Sequence, residues 1–151
     1  MANYIQSIRG KVGHMPIILN ACAGVLFDDQ GRILLQERTD TNNWSLPGGY
    51  MEYGENFEQT IIREYKEDSG LEIKPVKQLA VFDQGFTEYP NGDVCQVISV
   101  LFEVEKVGGR RITERQFETI GTDFFDSHHI PPLLNEQTQE MLDFAFEYKQ
   151  Q

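Results

Sequence analysis

The chain is short of basic residues, of cysteine and of long apolar runs. Lys and Arg together number 13 against 24 Asp and Glu, for a net charge of −11. A surface this acidic repels a nucleic-acid backbone and an anionic membrane alike, which argues against nucleic acid polymers and membranes as partners. An anionic substrate would need a cation to mediate, and a metal ion is the simplest one. The two cysteines, Cys22 and Cys95, are too few for a zinc site. Both sit in apolar, strand-like runs and are expected to be buried core thiols in a reducing cytosol. No apolar stretch approaches the ~18 residues of a membrane span. The N-terminal "MANYIQSIRGKVGH" lacks the continuous apolar segment of a secretory signal, and a cytoplasmic location is the expectation. Internal repeats, low-complexity tracts and Pro/Ser-rich linkers are missing too, so the 151 residues are expected to form one domain, 1–151.

What is present is enough apolar material for a core, at 40% hydrophobic and 11% aromatic residues. "NYIQSIRGKV" reads as a short helix with Ile5 and Ile8 on one side. "IILNACAGVLFDD" and "RILLQER" read as two strands, and residues 17–38 as a hairpin whose loop contains Gly31. "TDTNNW" reads as a polar loop, and "SLPGG" breaks regular structure. "ENFEQTIIREYKEDSG" is the clearest helix, with Glu55 or Asn56 to cap its start and Gly70 in the place of a left-handed C-terminal residue. Two strands follow, "IKPVKQLAVFDQGF" and "DVCQVISVLFEVE", joined through the Pro90-Asn91-Gly92 turn. "TDFFD" is a short strand, and "PPLLNEQTQEMLDFAFEYKQ" a helix with Leu134, Met141, Phe144, Ala145 and Tyr148 as a core stripe. The class is mixed α and β.

The central helix carries an unusual load. At ~100° per residue, Phe57, Ile61 and Tyr65 mark the inward stripe. Glu64 and Asp68 fall on the same side, Glu67 at its edge, and Gln59, Arg63 and Lys66 nearer the solvated face. Partly buried carboxylates are costly unless they are paired or bind a cation. Anionic oxygen ligands suit a hard divalent ion, Mg²⁺ or Mn²⁺ in its place. Gly48 and Gly49, without Cβ atoms, let the backbone approach an ion or a phosphate, and a carbonyl of the pair could be a further ligand. A solvated acidic face laced by pairs such as Arg63–Glu67 is the alternative reading.

The spacing of Gly49, Glu55 and "REYKEDSGL" resembles the Nudix box, G-x5-E-x7-R-E-U-x-E-E-x-G-U with U a bulky aliphatic, over residues 49–71. Gly49, Glu55, Arg63, Glu64, Glu67, Gly70 and Leu71 match it strictly. Tyr65 stands where an aliphatic is usual, and Asp68 where Glu is usual. The resemblance extends over roughly residues 17–145. It implies an α/β/α sandwich around a mixed sheet, with the box as loop–helix–loop, and hydrolysis of the diphosphate linkage of a nucleoside diphosphate derivative with metal assistance.

Carried over by position, the resemblance implies Glu64, Glu67 and Asp68 as metal ligands, with the Gly49 carbonyl as helper and Mg²⁺ as the metal. Arg63 would orient the carboxylates through Glu55, and Gly70 would close the helix. The family's additional loop carboxylate falls on Glu114 or Glu118, and Glu118 fits its position better. Arg38, Gly48, Trp44 and Tyr89 are the candidate substrate-binding residues, Trp44 with core packing and Tyr89 with turn packing as the alternatives. His128 and His129 read as surface residues.

The resemblance favours an ADP-ribose or nucleotide-sugar type of substrate. Oxidised nucleoside triphosphates and dinucleoside polyphosphates are alternatives, Tyr89 lying about where a tyrosine marks the latter hydrolases. A nucleotide-sensing module without catalysis is the alternative of another class. A second copy of the chain, in a homodimer, is the one protein partner the resemblance implies.

Overall fold

The computed structural model describes residues 3–151. In chain order the elements are helix α1 (Asn3–Val12), strands β1 (Ile17–Val25), β2 (Ile33–Arg38), β3 (Trp44–Ser45) and β4 (Gly48–Tyr50), helix α2 (Phe57–Ser69), strands β5 (Leu71–Glu88), β6 (Val94–Gly109) and β7 (Thr119–Phe125), and helix α3 (Glu136–Lys149). A mixed sheet runs β4-β1-β6-β5, with β1 parallel to β6 and antiparallel to β4. A second, antiparallel sheet runs β3-β2-β7. The mixed α and β class expected from the sequence holds, and so does the sandwich.

Strand alternation builds the layers. Cys22, Val100, Phe102 and Val104 point to the side of Ile61 and Tyr65 of α2. Their sequence neighbours Ala23, Val25 and Leu101 point to the side of Met141, Leu142 and Ala145 of α3, as the period of two in a strand requires. Near its start β1 is covered on one face only. Ile17, Leu19 and Ala21 are buried with Cys95 and Val97 under Ile5, Ile8 and Val12 of α1, while Ile18 is exposed. Both cysteines are buried free thiols, as expected.

Three local readings are corrected. Residues 17–38 are a hairpin only next to the Gly31 turn, where Phe27 bridges Ile33 antiparallel, Asp28 N–H donates to Arg32 O and Leu34 N–H to Leu26 O; beyond it β1 and β2 lie in different sheets. "SLPGG" does not simply interrupt structure, because Gly48–Tyr50 pairs with Ala21–Ala23 as β4. The last helix begins at Glu136, not at the prolines, because the Asn135 side chain accepts from Thr138 N–H and caps it there. Leu134 therefore precedes the helix, and Leu142, fully buried, takes the core place expected of Phe144, which is 39% exposed.

Tyr65, the aromatic in an aliphatic position, has a structural counterpart. It is fully buried, and Gly24 on β1 makes the room. A Cβ on Gly24 would sit 2.9 Å from Cδ2 of the Tyr65 ring. Among the described residues the buried Tyr65 hydroxyl has no hydrogen-bond partner, a cost of about 1–3 kcal/mol set against the burial of the ring. Among the described residues no helix is long and apolar enough to cross a membrane.

Candidate active site

α2 starts at a capping box. Asn56 accepts from Gln59 N–H and the Gln59 side chain accepts from Asn56 N–H, at 2.8 and 2.9 Å. Gly70, in the left-handed region, ends the helix. This frame turns Glu64 and Asp68, four residues apart, into the protein, where each is only 4% exposed. Glu67, at the edge of that face, remains exposed. The phase read from the sequence holds for these three carboxylates.

It fails for Phe57, which is exposed in a shallow depression beside Pro75 and Phe102. It fails for Arg63 too, which is drawn from the solvent side onto the site. Arg63 holds Glu55 through two bonds, Nε to Oε2 at 2.7 Å and Nη2 to Oε1 at 2.8 Å. It also donates to Glu64 Oε1 at 2.8 Å and to the Tyr50 carbonyl at 3.0 Å, and lies 3.5 Å from Glu67 Oε1. Two-point pairing with a carboxylate fixes the orientation of a planar guanidinium.

β4 brings the backbone to the carboxylates. Gly49 lies opposite Cys22 in the β1–β4 ladder, directly against the Glu64 carboxylate, and a Cβ at Gly49 would collide with that group. Gly48 N–H donates to Asp68 Oδ2 at 3.1 Å. The Asp68 carbonyl accepts from the Thr119 hydroxyl at 2.8 Å, which ties the end of α2 to β7.

The electrostatics of this corner call for a cation. Burial, with Glu67 adding to it, raises the Glu64 carboxyl to about 7 against the opposing pull of Arg63. Burial raises Asp68 well above the ordinary carboxylate range, and Glu64 and Glu118 add to it. Glu55 is held down to about 2 by its hydrogen bonds from Arg63. Cys22 is pushed up to about 12 by burial and by Glu55 and Glu64, so it is an inert thiol.

The residues present fit a hard divalent ion. The donors are all oxygen, and two carboxylates are buried together without enough local positive charge to keep both ionised. Among the described residues no three Asp, Glu, His or Cys side chains close around one point. That is compatible with Mg²⁺, which is commonly bound through one or two carboxylates and completed by substrate phosphates and water.

These groups form one end of a cavity of about 340 Å³, at the lower edge of the ~300–1,000 Å³ usual for small-molecule sites. Glu64, Asp68, Glu118, Arg38, Ile5 and Tyr89 all line it, with Arg38 within electrostatic reach of both Asp68 and Tyr89. Glu118 lines the cavity and Glu114 does not. Arg38 is held toward the site by Asp40 through bonds of 2.9 and 2.7 Å. The Tyr89 hydroxyl shares a 2.7 Å hydrogen bond with that of Tyr50.

Trp44 is placed elsewhere. Its ring packs edge-on against Phe125 at 4.9 Å and is not among the cavity-lining residues, the surroundings that its core-packing alternative requires. Glu67 and Arg63 flank the cavity without lining it. His129 is exposed and pairs with Asp126.

Several residues of the site escaped the sequence. Asp40 and Glu52 belong to no motif that the sequence displays. Gln36 carried a signal in retrospect, a polar residue inside the apolar run "ILLQER". It is buried, donates to the Thr119 hydroxyl at 2.8 Å and lines the cavity.

Comparison with known proteins places this geometry. The NUDIX domain family matches residues 19–144. The ADP-ribose pyrophosphatase of Methanocaldococcus jannaschii is 28% identical over 126 residues, which cover 82% of this chain and 71% of that protein. The YjhB protein of Bacillus subtilis is 29% identical over 126 residues, 83% of this chain and 59% of that one. The chain therefore spans little more than half the length of the latter relative. A crystal structure of an ADP-ribose pyrophosphatase from Streptococcus suis has the same fold, with a TM-score of 0.70 at 24% identity over 88% of this chain and 92% of that one.

Proposed function

The chain belongs to the Nudix family, and from that premise we propose that it is a divalent-metal-dependent hydrolase. The proposed reaction cleaves the diphosphate linkage of a nucleoside diphosphate derivative, with ADP-ribose or a nucleotide sugar as the favoured substrate. The observation that carries the reading is the pair of buried carboxylates, Glu64 and Asp68, set against Gly49 at the end of a cavity that Arg38 also lines. The similarity to an ADP-ribose pyrophosphatase supports it.

In this reading Glu64 and Asp68 would hold Mg²⁺, or Mn²⁺ in its place, with Glu67 at the edge and the Gly49 carbonyl as further ligands. Bound there, the metal would polarise the phosphoryl oxygens and lower the pKa of a water. Arg63 positions Glu64 and Glu67 and is itself fixed by Glu55. Arg38, steadied by Asp40, neutralises phosphate charge. The Gly48 backbone gives the phosphates close approach. Glu118, in the loop facing Asp68, is the candidate to take a proton from the attacking water. Tyr89 contacts the part of the substrate beyond the phosphates.

Replacing one ligand carboxylate by its amide isolates the claim. Glu67→Gln alters an exposed side chain and is expected to leave the circular dichroism spectrum and Tm within a degree or two. Turnover of ADP-ribose is expected to fall by about 10²-fold or more. An unchanged rate would remove Glu67 from the site and the metal assignment with it.

A further inference from the structure

The family match begins at residue 19, after α1, and α1 forms a wall of the cavity. Ile5 and Arg9 both line it. α1 has no fully buried residue. Its half-buried Ile5, Ile8 and Val12 pack over the apolar strip of Leu19, Ala21, Cys95 and Val97, and that strip also lines the cavity.

Polar contacts fasten α1 at both ends. At the first turn, Asn3 N–H and Tyr4 N–H donate to the two carboxylate oxygens of Glu52 at 2.9 and 2.8 Å. At the last turn, the Arg9 guanidinium donates to the carbonyls of Gly13, Met15 and Val94 and faces Asp93. Glu52 belongs to the loop that leads into α2. Its own N–H donates to Glu55 Oε1 at 2.8 Å, and Glu55 is the partner of Arg63. A continuous set of hydrogen bonds therefore sets α1 relative to the carboxylates.

The cavity thus has two unlike ends. One is lined by the carboxylates, and Arg38 lies within electrostatic reach of both Asp68 and Tyr89. The other is walled by aliphatic side chains and the Tyr50 and Tyr89 rings, with Arg9 there taken up by three carbonyls and Asp93. Along β1 the ends are three residues apart, from Cys22 opposite Gly49 to Leu19 under α1. At ~3.3 Å per residue that is about 10 Å, the reach of a ribosyl unit between a phosphate and a base. An apolar compartment with aromatic walls receives an uncharged planar ring, not a second sugar phosphate.

Building on the proposed hydrolysis of a nucleoside diphosphate derivative, we propose that α1 is the specificity element of this site. Ile5 contacts the nucleobase, and Glu52, by capping α1 from the catalytic loop, is the positioning residue that sets the wall.

Calorimetric titration with AMP and with ribose 5-phosphate, both in Mg²⁺, tests this without requiring turnover. Ile5→Ala is expected to weaken AMP about five- to tenfold, the effect of removing most of one aliphatic contact, and to leave ribose 5-phosphate unaltered. Glu52→Ala is expected to weaken AMP in the same direction and to speed hydrogen exchange of the α1 amides. AMP affinity unchanged by Ile5→Ala would overturn the proposal. So would equal weakening of both ligands, or failure of the unmodified protein to bind AMP at all. If AMP weakens as stated while no diphosphate is hydrolysed, the wall stands and the hydrolytic reading falls.

Discussion

α2 and α3 are built alike and used differently. Each is a helix of three to four turns capped by an asparagine, Asn56 or Asn135, whose side chain accepts from a backbone N–H three residues on. They cover opposite faces of the sheets. α3 buries Met141, Leu142 and Ala145 in a contiguous apolar cluster. α2 buries Ile61 and Tyr65, but also Glu64 and Asp68. The comparison separates two uses of one local grammar: α3 buries only uncharged side chains, whereas α2 buries two carboxylates at a cost in stability, which the proposed reading assigns to holding a cation.

The comparison breaks most visibly at Glu64. Glu64→Gln keeps an acceptor for Arg63 and removes the charge. It is expected to cut turnover by about 10²-fold or more, while raising the Tm of the metal-free protein in a thermal melt. A loss of both activity and stability would mean that the buried charge holds the fold together. Leu142→Ala is the reverse case. It should cost about 2–5 kcal/mol in denaturant unfolding, as large-to-small core changes do, with kcat at low temperature retained.

The pH dependence of stability sharpens the contrast at a smaller scale. The Glu64 carboxyl is raised from 4.5 to about 7 by burial and by Glu67, so the folded protein keeps a proton there that the unfolded chain releases. That contribution is complete below pH 4.5 and is lost as pH rises through about 7. It is worth on the order of 2–3 kcal/mol, and the raised Asp68 acts in the same sense. Glu55, lowered to about 2, acts oppositely: its contribution is complete above pH 4.5 and is lost on acidification toward 2. Metal-free protein should therefore melt higher near pH 5 than at pH 8, and Mg²⁺ at pH 8 should restore the difference by binding the folded state. A flat profile would contradict the burial of Glu64. The smallest effect belongs to Tyr65→Phe, which deletes an unpartnered hydroxyl and should stabilise the protein by about 1 kcal/mol in the same unfolding assay.

The sequence made α2 legible because its message is local. A cap, a period of 3.6 and a left-handed glycine fall within residues 56–70, and the box spacing adds the carboxylates. β1 and β2 are legible only next to their turn, where Phe27 pairs with Ile33, because a turn does not show how far the strands it joins stay paired before they diverge into separate sheets. The pairing of β1 with β6, more than 70 residues on, decides that question. Arg9 was silent for the same reason, since it is anchored on Val94. So was Gly24, whose missing Cβ is explained only by Tyr65. Trp44 and Tyr89 are both aromatic loop-flanking residues, and only packing tells them apart: one faces Phe125, the other the cavity.

Hydrolysis of ADP-ribose in Mg²⁺ and again in EDTA, with products separated by chromatography, tests the central claim most directly. The account predicts AMP and ribose 5-phosphate with Mg²⁺ and none with EDTA. Equal turnover in EDTA would contradict the role given to Glu64, Glu67 and Asp68. So would the absence of turnover on ADP-ribose and on every nucleotide sugar tried while Mg²⁺ binds.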